Sequence, residues 1–162
     1  MKVGVSGHRD REGADWDWVR AEMDVFIASD CAAGVSCLAP GADMIFAEAV
    51  LALGRRLIVM APAAPPNGDN ADRERQTALI AAASDVRRIA GATPDEAFFK
   101  AGKAVVDESD MMVFVWDGGP SRGVGGTADI VAYAAQRGKP GVVLDPIRRT
   151  VRDLSQALDR MD

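Results

Sequence analysis

Glycines crowd one stretch of the sequence in which a strand pattern changes to a helix pattern. Residues 111–116 (MMVFVW) form a continuous apolar run, five glycines fall between residues 118 and 126, and a helical pattern begins near Thr127. Glycine lets a backbone approach a ligand closely, and the first amides of a helix have no partner within the helix. Such amides bind anions at the positive end of the helix dipole. The stretch therefore predicts a phosphate-binding loop, with a plain tight turn as the alternative.

The residues expected to contact the phosphate lead into this helix. They are Arg122, Gly123, Gly125, Gly126 and Thr127. The hydroxyl of Thr127 can also cap its own helix, and an arginine in a surface loop can simply be solvated. The Walker motif and the dinucleotide fingerprint G-x-G-x-x-G are both absent, because no lysine precedes Thr127 and the glycines are spaced differently. The exact class of phosphate ligand stays open at this level.

Polar glycine turns also follow two earlier predicted strands, residues 2–6 (KVGVS) and residues 34–38 (GVSCL). The candidate ligand-binding residues of these turns are Gly7, His8, Arg9, Gly41, Ala42 and Asp43. In an open parallel sheet, ligands bind beyond the carboxyl ends of the strands. We therefore expect all three turns to meet around one ligand.

Each polar side chain near these turns has a structural alternative. Arg9 suits an anion or a carboxylate partner equally well. His8 is the only histidine, which excludes a multi-histidine metal site but permits an acid–base role or a hydrogen-bonding role in the loop. Asp43 can cap the following helix or accept a hydrogen bond from a ribose. Glu48 is a candidate acid or base, with a solvated helix position as the alternative.

Strands and helices alternate along the whole chain, and this order positions the turns. Predicted strands cover residues 2–6, 34–38, 56–60, 85–89, 111–116 and 141–145. Helical patterns lie between them, and a terminal helix is predicted at residues 150–161, with Val151 and Leu154 facing inward. This alternation is typical of an α/β fold with a mainly parallel sheet covered by helices on both faces. We expect a single domain over residues 1–162.

Composition limits the partners. A chain of 162 residues with 48% hydrophobic content can build one substantial core. Its net charge of −5 argues against an extended nucleic acid or an anionic membrane as partner. The spacing of Cys31 and Cys37 supports neither a metal site nor a disulfide framework. No secretion signal or long apolar span is evident, so we expect a cytoplasmic protein.

Three motifs together carry a family resemblance, namely VSGHR at residues 5–9, LAPGADMIFAEAVLALG at residues 38–54 and WDGGPSRGVGGTADIVAYA at residues 116–134. On these motifs the chain resembles the SLOG superfamily, which includes the LOG phosphoribohydrolases and the Rossmann-like domain of the DNA-processing protein DprA. Small stand-alone members are the most similar. The resemblance implies a doubly wound Rossmann-like domain that binds a nucleotide or phosphorylated nucleoside derivative, with its phosphate on the loop ending at Thr127. We expect no additional cofactor.

One position departs from the LOG motif PGGxGTxxE, whose acidic residue supports cleavage of the N-glycosidic bond. With Gly126 and Thr127 aligned on the final Gly-Thr, Ile130 stands where the glutamate belongs and Asp129 comes one residue early. One residue turns a helical side chain by about 100°. The expected function is therefore nucleotide binding of a sensor or carrier type. A phosphoribohydrolase using Asp129 or Glu48 is the alternative, and an oligomeric scaffold is the second alternative.

Self-association as a homodimer or tetramer through helical faces would suit this resemblance. Trp16 and Trp18 lie two residues apart on the first predicted helix and are not expected to face inward together. One exposed indole is therefore predicted, as a hint of an interface.

Overall fold

A computed structural model describes residues 1–65, 68–121 and 126–159, and within these it contains seven strands and six helices. The strands are β1 Lys2–Gly7, β2 Ala33–Ser36, β3 Arg56–Pro62, β4 Asp85–Ile89, β5 Met111–Val115, β6 Gly141–Asp145 and β7 Thr150–Asp153. The helices are α1 Trp16–Asp30, α2 Ala42–Ala52, α3 Asn70–Ala82, α4 Pro94–Glu108, α5 Thr127–Gln136 and α6 Leu154–Asp159. The α/β architecture expected from the sequence is confirmed.

The strands form one sheet in the order β4-β3-β2-β1-β5-β6-β7. Neighbouring strands are parallel except for β6 and β7, which are antiparallel. The chain moves outward from β1 to β4 and then returns to the other side of β1 to form β5. Strand order therefore reverses between β1 and β5, and such a reversal leaves a crevice at the carboxyl ends of the strands.

Helices cover both faces of the sheet, so its central strands are apolar on both sides. Along β5, Val113 and Val115 pack into the core beneath α1 and α2, whereas Met112 and Phe114 pack into the core beneath α4 and α5. This alternation follows from the two-residue period of a strand. The continuous apolar run at residues 111–116 is explained by burial on both faces.

The start of α4 matters because this crossover helix reaches the crevice. Thr93 caps it, since its hydroxyl accepts a hydrogen bond from the amide of Glu96 at 3.1 Å. Pro94 occupies the first helical position, where its missing N–H costs no helical hydrogen bond. In the sequence, a cap residue at Thr93, proline at the next position and Glu96 three residues after the cap predict a helix start, and the structure confirms it.

The terminal helix predicted at residues 150–161 is wrong in its first turn. Thr150–Asp153 is strand β7, and the helix that follows covers only Leu154–Asp159 in the described part of the chain. Arg149 has a left-handed φ of 54° and reverses the chain, which lets β7 pair with the open edge of β6. Val151 is consequently 43% exposed, whereas Leu154 is buried as expected.

The prediction of one exposed indole on α1 is also wrong. Trp16 and Trp18 are both partly buried and both pack against the core beneath α1 and α2. Among the described residues, no helix combines the length and the apolarity that crossing a membrane requires.

Candidate functional site

A cleft of about 700 Å³ opens at the carboxyl end of the sheet, where the strand order reverses. Its walls come from the turns after β1, β2 and β5 and from the first turns of α4 and α5. This volume lies within the range of small-molecule sites, which is roughly 300 to 1,000 Å³. The structure thus brings the three glycine turns to one cavity.

The turns after β1 and β2 are in direct backbone contact. The amide of Ala42 donates to the carbonyl of His8 at 3.1 Å, and the amide of His8 donates to Val115 at 3.0 Å. Gly41 has a φ of +91°, and a Cβ there would lie 2.2 Å from the carbonyl oxygen of Arg9. Only glycine fits this position, because any side chain would collide with the neighbouring turn.

Asp43 lies buried in the first turn of α2 and lines the cleft, with 7% of its surface exposed. Its Oδ2 accepts a hydrogen bond from the amide of Ala39 at 3.3 Å, while its Oδ1 has no partner within the described residues. Asp43 does not cap α2, whose N-cap is Gly41 without a side-chain hydrogen bond. Burial raises the pKa of Asp43 to about 7, although the Ala39 amide and the charge of Arg9 oppose the rise.

The backbone around Asp43 is fixed by two buried or half-buried polar side chains. The hydroxyl of Ser36 donates to the carbonyl of Asp43 at 3.0 Å and accepts from the amide of Leu38 at 3.1 Å. Leu38 has a left-handed φ of 59°, and its carbonyl accepts a hydrogen bond from Gln76 on α3 at 2.9 Å. These bonds hold the carboxyl in position before any ligand arrives.

Arg9 lies at the cleft and is exposed. Its guanidinium carbon is 4.9 Å from the ring centroid of Phe98 on α4, a favourable cation–π contact. No ion pair joins Arg9 to a carboxylate among the residues that the structure describes. Of the two roles considered for Arg9, pairing with a carboxylate of this chain is therefore not observed.

His8 joins the turn after β1 to the turn after β5. Its Nε2 accepts a hydrogen bond from the amide of Asp117 at 3.1 Å and lies 3.2 Å from Asp117 Oδ1. Arg11 donates to Asp117 Oδ2 at 2.7 Å. Partial burial raises the pKa of Asp117, but the hydrogen bonds from Arg11 and the Gly119 amide outweigh burial, and the pKa is about 2.

The N-terminus of α5 begins at the cleft. Its N-cap, Gly126, makes no side-chain cap, and the Thr127 hydroxyl does not cap the helix either. Ser121 accepts a hydrogen bond from the amide of Asp129 at 3.1 Å. The amides of Thr127 and Ala128 have no hydrogen-bond partner in the described parts of the chain, and both residues line the cleft. Two donors thus remain available beside the cavity.

Three of the expected phosphate contacts, Arg122, Gly123 and Gly125, lie outside the described residues.

The two candidate catalytic carboxylates are not among the cleft-lining residues. Glu48 on α2 forms an ion pair with Arg75 of α3. Asp129 is absent from the lining, whereas Ile130 belongs to it and is 2% exposed. The helix position that the LOG motif assigns to glutamate therefore carries a buried aliphatic side chain. The described residues also contain no cluster of three or more potential metal ligands.

Sequence reasoning missed three residues that shape the site, namely Phe98, Asp117 and Ser121. Phe98 belongs to a helix far away in sequence, and only the crossover of α4 brings it to Arg9. Asp117 and Ser121 flank the glycines that drew attention to this stretch. An aspartate at a strand end and a serine before a helix are sequence signals for side chains that hydrogen-bond to a nearby backbone.

The fold and the cleft together define a doubly wound α/β protein with a ligand cavity where the strand order reverses. No protein-family model and no curated protein matches the sequence. Solved structures do match it. DNA processing protein A from Helicobacter pylori, described for its single-stranded DNA binding mode, has a TM-score of 0.67 and 18% identity, covering 99% of this chain and 72% of that one.

Two further solved structures have the same architecture. DprA from Streptococcus pneumoniae has a TM-score of 0.62 and 16% identity over 99% of this chain, which spans 55% of that protein. The molybdenum cofactor carrier protein from Chlamydomonas reinhardtii has a TM-score of 0.57 and 18% identity, covering 99% and 94% of the two chains. The chain therefore has the Rossmann-like α/β fold of these solved structures.

Proposed function

We propose that this protein binds a nucleotide or nucleotide derivative in the cleft, as a sensor or carrier, and does not cleave it. The observation that carries the proposal is a pair of amides at the cleft end of α5, those of Thr127 and Ala128, which have no hydrogen-bond partner among the described residues. A helix N-terminus with free amides favours a phosphate through both hydrogen bonds and the helix dipole. Arg9 supplies a positive charge in the same cavity.

The apolar position at Ile130 favours binding over hydrolysis. In the LOG motif the carboxylate that supports N-glycosidic cleavage comes from this helix position, and here Ile130 occupies it in the cleft wall. Neither Asp129 nor Glu48 lines the cavity. The molybdenum cofactor carrier protein has the same fold, and it is a precedent for the carrier role proposed here. The net charge of −5 favours a single small anion over the single-stranded DNA bound by the H. pylori protein.

The test is a thermal-shift panel with AMP, GMP, CMP, UMP and a short single-stranded oligonucleotide, combined with chromatography for released base. A ligand that prefers the folded state raises the melting temperature. We expect stabilisation by at least one mononucleotide without release of base. No stabilisation by any mononucleotide would reject the proposal, and release of base would replace it with the hydrolase.

Thr127→Pro isolates the phosphate contact. Proline removes the amide at the first helical position without loss of a helical bond, and the preceding Gly126 already has an extended φ of −67° and ψ of 173°. A hydrogen bond to a charged group contributes about 1.5 to 3 kcal/mol, so we expect binding to weaken about tenfold or more. Thr127→Ala is the matched control, because it retains the amide. Equal affinity of the two variants would contradict the role of the amide.

A further inference from the structure

We propose that Asp43 Oδ1 accepts a hydrogen bond from an O–H or N–H donor of the bound nucleotide, and that the cleft thereby selects nucleotides that carry this donor. The inference rests on the proposed function, since it names the part of the nucleotide that Asp43 recognises. The phosphate contacts at α5 are common to all nucleotides and do not distinguish among them. Within the described residues, Asp43 is a buried group of the cleft whose Oδ1 accepts no hydrogen bond.

Asp43 Oδ1 has no hydrogen-bond partner within the described residues. Buried polar atoms in folded proteins nearly always have a partner, and an unpaired one costs free energy. The other oxygen of the same carboxyl is already occupied by the Ala39 amide. A ligand donor that reaches Oδ1 from the cleft would complete the hydrogen bonding of Asp43.

The groups around Asp43 leave this role to a ligand. Arg9, from the turn after β1, acts on Asp43 through its charge, and the thiol of Cys37, directly after β2, lies close enough to be affected by the charge of Asp43. Neither forms a hydrogen bond with Oδ1 within the residues that the structure describes. Burial, followed by the charge of Asp43, raises the pKa of the Cys37 thiol well above its usual range, so Cys37 stays a neutral neighbour.

Ionisation of Asp43 couples binding to pH. Burial raises the pKa of this carboxyl to about 7, so its protonation changes in the neutral range. A carboxylate accepts a stronger hydrogen bond than a carboxylic acid. A nucleotide that carries the donor should therefore gain affinity between pH 6 and pH 8 relative to an analogue that lacks it. The phosphate titrates equally in both ligands and cancels in this ratio.

The experiment measures dissociation constants by calorimetry for two series of ligands. AMP is compared with 2′-deoxy-AMP, 3′-deoxy-AMP and IMP, and CMP with its two deoxy forms and UMP. The deoxy arms test a sugar hydroxyl as the donor, and the IMP and UMP arms test the amino group of the base. We expect the analogue that lacks the donor to bind about tenfold more weakly than its parent nucleotide, because an unpaired buried acceptor costs about 1 to 3 kcal/mol.

Asp43→Asn is the matched variant. Its oxygen can still accept from the Ala39 amide, but its NH₂ group then presents a donor where the ligand needs an acceptor. We expect the variant to bind the parent nucleotide no more tightly than it binds the analogue. The melting temperature of the ligand-free variant shows whether it is folded.

Three results would overturn the inference. These are equal affinities of every analogue for the unmodified protein, discrimination that survives in Asp43→Asn, or a parent-to-analogue ratio that is constant from pH 6 to pH 8. In each case the proposed function would stand, because the unmodified protein would still bind nucleotides. If the unmodified protein bound no nucleotide at all, the proposed function itself would be rejected.

Discussion

At the scale of single residues, Asp43 links the stability of the protein to pH. Its pKa is about 7 in the folded chain, against 3.8 for an unperturbed aspartate. The folded state therefore binds a proton that the unfolded state has released across this interval. The contribution of Asp43 to stability is therefore fully present below about pH 4, decreases as pH rises, and is lost above pH 7. A shift of this size corresponds to about 4 kcal/mol as an upper limit.

We predict that Asp43→Asn removes this dependence. The unfolding free energy of the variant minus that of the unmodified protein should rise between pH 4 and pH 8 by several tenths to about 4 kcal/mol, since only the unmodified protein buries a charge. Urea unfolding at pH 4, 5.5, 7 and 8 measures the difference. A difference that stays constant across this range would show that Asp43 does not titrate there.

At the scale of elements, the turns after β1 and β5 are joined by the cluster of His8, Arg11 and Asp117. The pKa of Asp117 is about 2, below its usual 3.8, so its contribution is fully present above pH 4 and is lost as pH falls through 2. We predict that Asp117→Asn lowers the unfolding free energy at pH 7 by about 2 kcal/mol, with a difference that shrinks below pH 4.

Chemical unfolding at pH 7 and pH 3 measures this change. Asp24→Asn is the control, because it breaks the ion pair with Arg20 on the surface of α1, which should contribute about 0.5 kcal/mol or less. Equal effects of the two substitutions at pH 7 would mean that the cluster behaves as an ordinary surface ion pair.

The contact between the first two turns gives a second prediction at this scale. Gly41→Ala should destabilise the protein by about 3 kcal/mol or more, because its Cβ would lie 2.2 Å from the Arg9 carbonyl and its φ is +91°. Gly54→Ala is the matched control, with a φ of +71° and no atom within 4 Å, and should cost only about 1 to 2 kcal/mol. Thermal and urea unfolding compare the two, and equal losses would exclude the steric contact.

Local sequence signals predicted those elements that local interactions determine. The cap at Thr93 marked the start of α4, and glycines marked each turn of the cleft. β7 was missed because Val151 and Leu154 also fit a helical spacing, and only the open edge of β6 decides the outcome. Pairings such as Arg9 with Phe98 depend on strand order, which no short stretch of sequence encodes.

At the scale of the whole molecule, the strand order places the cleft between two parts of the chain. The turns after β1 and β2 and the first turn of α2 supply one part of the lining, whereas the turn after β5 and the first turns of α4 and α5 supply the other. The pairing of Gly7 with Val115 places the two parts side by side at the end of the sheet. A ligand that contacts Asp43 and the amides of α5 would therefore bridge both parts.

Hydrogen exchange measured by mass spectrometry, with and without the best mononucleotide of the panel, tests this bridging. Because a bound ligand opposes local opening, peptides covering residues 7–10, 38–43 and 126–130 should exchange more slowly together. The edge strands Asp85–Ile89 and Thr150–Asp153 serve as internal references that should not change. Thr127→Pro should reduce the protection in all three segments, since they share one ligand. Protection confined to one of the two parts would mean that the nucleotide lies on one wall and does not span the cleft.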